Sequence, residues 1–84
     1  MFTGTIVEIS RRGVMFIVHV DGGDFAVFEL LDSIALEVGQ QVRGDLDALG
    51  SEDFFHLEEQ TMFQVYGQTG PSSLAICREL IASY

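Results

Sequence analysis

Lysine is absent from this chain of 84 residues, and four arginines stand against thirteen acids, for a formal net charge of −9. Such a chain repels itself, nucleic-acid backbones and anionic membranes, and it attracts basic partners. Cysteine occurs once, at Cys77, so no intramolecular disulfide can form, and a reducing cytoplasm is the expected compartment. No apolar run approaches the roughly 20 residues of a membrane span. The opening residues, MFTGTIVEIS, lack the charged n-region and long apolar stretch of a signal peptide. Tryptophan is missing too, and seven phenylalanines carry much of the core volume. Each ring contributes roughly 1.5–3 kcal/mol when buried.

Motifs for chemistry are equally scarce. No phosphate loop, dinucleotide fingerprint or catalytic-triad spacing occurs. His19 and His56 are the only histidines and lack companions at metal-ligand spacing. His56 and Glu58 lie two apart, which on a strand puts them on one face; a surface or interface histidine is the expected role. Acids at Asp21, Asp24, Glu52 and Asp53 fall in turns without the twelve-residue calcium-loop pattern. Cys77 has no nucleophile–base set around it and reads as a buried structural thiol. The chain is therefore expected to be neither an enzyme nor a holder of metals or cofactors.

What is abundant is strand-forming sequence in a single domain. Residues 14 to 20, Val-Met-Phe-Ile-Val-His-Val, suit a pleated surface, and residues 25 to 30, Phe-Ala-Val-Phe-Glu-Leu, return after the turn Asp21-Gly22-Gly23-Asp24. Period-two alternation puts Val14, Phe16, Val18 and Val20 on one face of the first strand and Met15, Ile17 and His19 on the other. Both faces are apolar. One is the core, and the other must be covered by another element or used for binding.

Around this hairpin the chain reads as further strands. Residues 2 to 10 form a first strand, with a bend or bulge expected at Gly4, and Arg11-Arg12-Gly13 turn into the hairpin. Asp32 or Ser33 can cap a short helical turn within 31 to 41. Residues 42 to 49 alternate Val42, Gly44 and Leu46 against polar neighbours as a fourth strand. A polar turn at 49 to 53 leads to a fifth strand at 54 to 58 and a sixth, or a continuation, at 61 to 67. Pro71 breaks the pattern, Ser72 is the expected N-cap, and 73 to 83 form a helix with Leu74, Cys77, Leu80 and Ile81 along one side. Eleven residues do not hold a helix alone in water, so it must pack on the barrel, across an open end. The expected division is a barrel over 1–67 and a C-terminal helix over 72–83.

The segments G-T-I-V at 4 to 7, G-V-M-F-I-V at 13 to 18, F-A-V-F-E-L at 25 to 30, V-G-Q-Q-V at 38 to 42 and F-F-H-L-E at 54 to 58 resemble an OB-fold. The pattern is similar to the small RNA-binding repeat of ribosomal proteins of the S-one type, with cold-shock domains as cousins. The resemblance covers about residues 2 to 60. It implies a small five- to six-stranded antiparallel OB-like barrel, here with a short C-terminal α-helix. It also implies an RNA platform on the second and third strands, where Met15 takes the family's aromatic position and Ala26 its histidine position, with Phe28 two residues on.

The outward hairpin face is therefore read as Met15, Ile17, His19, Ala26 and Phe28, with Arg11, Arg12 and Arg43 as flanking cations. Intramolecular cover by the C-terminal segment, a protein interface and base stacking are the three uses weighed for it. Arg11 and Arg12 lie in a loop that OB proteins use for ligands, or pair with Glu8, Asp45 or Asp47. The expectation is a non-catalytic binding module. A protein partner, basic in character, is preferred, docking on the hairpin face or along an exposed strand at 61–67, with homodimer formation left open. Weak binding of single-stranded RNA or DNA by the same face is the alternative, and no membrane role is expected.

Overall fold

A computed structural model describes residues 2–84. Six strands close into one antiparallel barrel: β1 (Phe2–Ile9), β2 (Met15–Val20), β3 (Phe25–Leu30), β4 (Gln41–Gly44), β5 (Gly50–His56) and β6 (Thr61–Gly67). Around the barrel the order is β1-β2-β3-β6-β5-β4, with β4 returning to β1. The first three strands form a meander. The long 31–40 connection carries β4 back beside β1, giving the 4-1-2-3 order of a Greek key. One helix, α1 (Leu74–Ile81), follows. The expected fold class is present: a small antiparallel barrel, consistent with an OB-like fold, with a short C-terminal helix. It has six strands and is closed.

Alternation along the strands fills the interior. Ile6, Phe16, Val18, Phe28, Val42, Phe54, Phe63 and Val65 are buried together. The phenyl rings form a connected chain: Phe16–Phe28 at 5.8 Å between centroids, Phe28–Phe54 at 4.7 Å edge-on, and Phe54–Phe63 at 6.0 Å. Such tilted and edge-on pairs suit the ring quadrupole. Ile34 and Leu36 from the 31–40 connection pack against this core.

Several boundaries differ from the sequence reading, each for a local reason. The bulge lies between Ile6 and Glu8, not at Gly4. Gly4 instead permits close approach, since a Cβ there would stand 2.5 Å from Val18 Cγ1. No helical turn forms after β3; the Asp32 carboxylate accepts the Gln64 N–H at 2.7 Å, sealing β6 just beyond the end of β3. β4 stops at Gly44, though Leu46 stays buried, and a turn closes from Asp45 O to Ala48 N. The expected polar turn at 49 to 53 is largely strand: β5 begins at Gly50 and pairs with β6 as far as Gly67. The predicted sixth strand has its expected limits, but it is no free edge. It lies between β5 and β3.

The helix is capped by Ser73, whose Oγ accepts the Ile76 N–H at 3.2 Å. Ser72, the expected cap, is extended and exchanges both backbone hydrogen bonds with Phe25, at 2.7 and 2.9 Å. That pairing moves the cap along by one residue. The predicted apolar side is correct: Cys77 and Ile81 are buried, and Leu74 and Leu80 pack partly. The helix does not cross an open end of the barrel. It lies on the outside, against β2 and β3.

Candidate functional site

The hairpin of β2 and β3 is the face expected to bind. Its register pairs Met15 with Glu29, Phe16 with Phe28, Ile17 with Val27, Val18 with Ala26 and His19 with Phe25. Directly opposed residues of an antiparallel pair share a face. Phe28 and Ala26 therefore point inward with Phe16 and Val18, and both are fully buried in the barrel. The expected grouping of Met15, Ile17 and His19 with Ala26 and Phe28 is corrected by one residue of register. Its physical source is the turn. Val20 N donates to Asp24 O at 3.0 Å, so the loop holds three residues, with Gly22 at φ 72°, and not four. A single-residue slip moves every side chain of a strand to the opposite face.

The true outer face of the hairpin is covered by the chain itself. Met15, Ile17 and Val27 form a second apolar cluster with Cys77 and Ile81 of α1, joined at its margin by Val7, Phe25, Leu74 and Leu80. Met15 retains 3% of its surface and Ile17 none. Neither can meet a partner without the helix leaving. His19 is half-buried and stacks on Phe25 at 4.5 Å. The Thr69 hydroxyl accepts the Val27 N–H at 3.0 Å, holding the segment before the helix to β3. Burial pushes the Cys77 thiol above its ordinary pKa, and a hydrogen bond with Thr69 draws it part of the way back. The thiol is packing, as expected.

His56 is not a surface histidine. It is fully buried, with its ring edge-on to Phe63 at 6.2 Å. Its Nδ1 accepts the Glu59 N–H at 3.1 Å, which places the proton on Nε2, 2.9 Å from Gln40 Oε1. Gln40 Oε1 also accepts the Glu37 N–H at 2.8 Å, and Glu58 Oε1 accepts the Gln41 N–H at 2.9 Å. This network ties the 37–41 segment to the β5–β6 turn. Its role is to hold that end of the barrel.

The arginines separate into two places. Arg11 and Arg12 stand exposed in the β1–β2 turn, next to Arg78 at the end of α1. Arg78 Nε donates to Glu8 Oε1 at 2.6 Å. Among the described residues Arg11, Arg12 and Arg43 have no ion-pair partner, so the alternative pairing with Glu8, Asp45 or Asp47 does not form. Arg43 is exposed on β4, where it opposes Phe55 of β5.

Phe55 belongs to the outer face of β5 and β6, of which the sequence reading offered only 61–67, as an exposed strand, and none of these side chains. On β5 and β6, Ser51 opposes Tyr66, Asp53 opposes Gln64 and Phe55 opposes Met62. These residues alternate with the buried Phe54, Phe63 and Val65 and therefore face outward. Met62 is 58% exposed and Tyr66 45%. Leu31, also exposed, joins them through its N–H on Gln64 O at 3.0 Å. The helix packs on β2 and β3 and reaches β1 through the Arg78–Glu8 pair, so it leaves this face open. The strict alternation in T-M-F-Q-V-Y-G was the available signal, since it sets Met62 and Tyr66 opposite a complete apolar interior set.

No helix among the described residues is long and apolar enough to cross a membrane. Comparison with known proteins found no matching family model, no matching curated protein and no matching solved structure.

Proposed function

We propose that this chain is a non-catalytic protein-binding domain that docks through the outer face of β5 and β6. The observation that supports it most is the exposure of Met62 and Tyr66 on strands that no other element covers among the described residues. Phe55 and Leu31 extend the apolar patch, and Asp53 and Glu29 flank it. Large side chains with an apolar body are the ones that anchor interfaces. Acidic flanks on a chain of charge −9 favour a basic partner and speed its encounter. A second copy of the chain is disfavoured by the same self-repulsion.

The test compares affinity capture by the native chain and by a Met62→Ser, Tyr66→Ser double variant, with and without nuclease. Both substitutions are at exposed positions and should change stability by no more than about 0.5 kcal/mol each. The reading expects a protein retained by the native chain, lost by the variant and indifferent to nuclease. An unchanged set of captured proteins would contradict it. Light scattering on the purified chain tests the second-copy outcome, with a monomer expected.

Arg43 beside Phe55, with Met62 opposite and Tyr66 further along the same outward face, supports a second reading. Such a set can stack and neutralise single-stranded RNA, on a different face from the second- and third-strand platform of the S-one-type repeat. With one cation on the face, binding would be weak, and with about one phosphate neutralised it would fall only gradually as salt rises from about 20 mM. Nuclease-sensitive capture, or oligonucleotide anisotropy abolished by Tyr66→Ser, would favour it over the protein partner.

A further inference from the structure

Three of the chain's four arginines line one cleft. Arg11 and Arg12 line it from the β1–β2 turn, Arg78 lines it from the last turn of α1, and Ile81 and Tyr84 form its apolar wall. Its volume is about 510 Å³, within the range of small-molecule sites. Glu8 is the one carboxylate side chain in the lining, and it is already engaged by Arg78 at 2.6 Å. Counting side chains alone, three arginines against Glu8 give the lining +2, so the other side chains of this −9 molecule carry −11. The positive charge is therefore concentrated in one place.

The cleft walls are fixed to each other. Arg12 N donates to Tyr84 O at 3.3 Å, and the Arg78–Glu8 pair ties helix to β1. The turn is braced from within. The nearly buried Ser10 accepts the Met15 N–H on its Oγ at 3.0 Å and the Gly13 N–H on its carbonyl at 2.9 Å. Arg11 and Arg12 are free of carboxylate partners among the described residues, so their guanidinium forks are available. Tyr84 keeps 44% of its surface exposed.

The geometry points to this cleft as a binding site for a small phosphate monoester with an aromatic or apolar body. The dianionic phosphate sits on Arg11 and Arg12, whose planar forks match its oxygens, and Arg78 adds charge from the far wall. The body of the ligand lies along Tyr84 and Ile81. The site lies on different residues from the β5–β6 face and stands or falls separately from it.

Amide NMR titration of the full chain with phenyl phosphate tests this. Saturable shifts are expected, concentrated at residues 10–13 and 78–84, with inorganic phosphate binding more weakly because it lacks the ring. An Arg11→Gln, Arg12→Gln double variant should weaken phenyl phosphate at least about tenfold. Both residues are exposed, and the same spectra report whether the barrel is intact. Arg43→Gln should leave the affinity unchanged. Three results would overturn the assignment: no saturation by about 20 mM at low salt, shifts spread equally to Arg43 and its neighbours, or undiminished binding by the double variant.

Discussion

Phe28 meets Phe16 and Phe54 inside the barrel and exposes nothing to solvent. Replacing it with alanine should cost about 3–5 kcal/mol, through lost transfer energy and an unfilled cavity. The same truncation at Met62, which is 58% exposed, should stay within about 0.5 kcal/mol. Urea denaturation of the two variants separates them, and comparable losses would mean the inward and outward faces are misassigned. Cys77 makes a prediction about pH. Its thiol pKa is raised in the fold by burial, so between the unfolded value of about 8.5 and the folded value the native state holds the proton that the unfolded chain has lost. The stability this contributes is complete below that unfolded value and is lost as pH rises through the window. Cys77→Ala should therefore show a shallower alkaline decline in unfolding free energy than the native chain, and parallel curves would remove the effect. At this scale the sequence revealed composition better than orientation. Phe28 was legible as a large apolar strand residue. Its face depended on one hydrogen bond across the turn at Gly22, which propensity does not specify.

The helix shows what was legible at the level of elements. Pro71, two serines and the spacing of Leu74, Cys77, Leu80 and Ile81 located it and identified its buried side. Its position on the barrel was not legible, because two surfaces could have accepted it: an open end, or the outer face of β2 and β3. The 31–40 connection supplies Ile34 and Leu36 to the core, and the greasy outer face of the hairpin remained to be covered. Once α1 lies there, the binding face read from the sequence no longer exists as a surface. Removing the cap with Ser73→Ala should cost about 1 kcal/mol. It should also raise hydrogen exchange along α1 while β5 and β6 stay protected, since the helix packs on β2 and β3, with an ion pair to β1, and not on β5 or β6. Uniform loss of protection would show that helix and barrel open as one unit. Gly67 belongs to the strand ladders. A Cβ there would collide with the Ala48 carbonyl, so Gly67→Ala must displace the β4–β5 connection and should destabilise by more than about 1 kcal/mol.

Across the whole molecule, two layers of burial and an uneven charge distribution define what is left to act. The barrel interior and the helix–hairpin layer consume most of the large apolar side chains. Met62, Tyr66 and Leu31 remain outside, on the side of the barrel the helix leaves open. Acidity and the scarcity of cations could be read directly from the sequence. The gathering of Arg11, Arg12 and Arg78 could not, because it requires the helix end to reach the first turn, 66 residues away along the chain from Arg12 to Arg78. The central claim is that the hairpin face is sealed by the chain's own helix while the β5–β6 face is open. The methyl groups of Met15 and Met62 report on the two faces in one spectrum. With methionine methyl labelling and a soluble paramagnetic probe, the Met62 signal should broaden strongly and the Met15 signal should persist. Equal broadening of the two, or loss of Met15 first, would contradict the account.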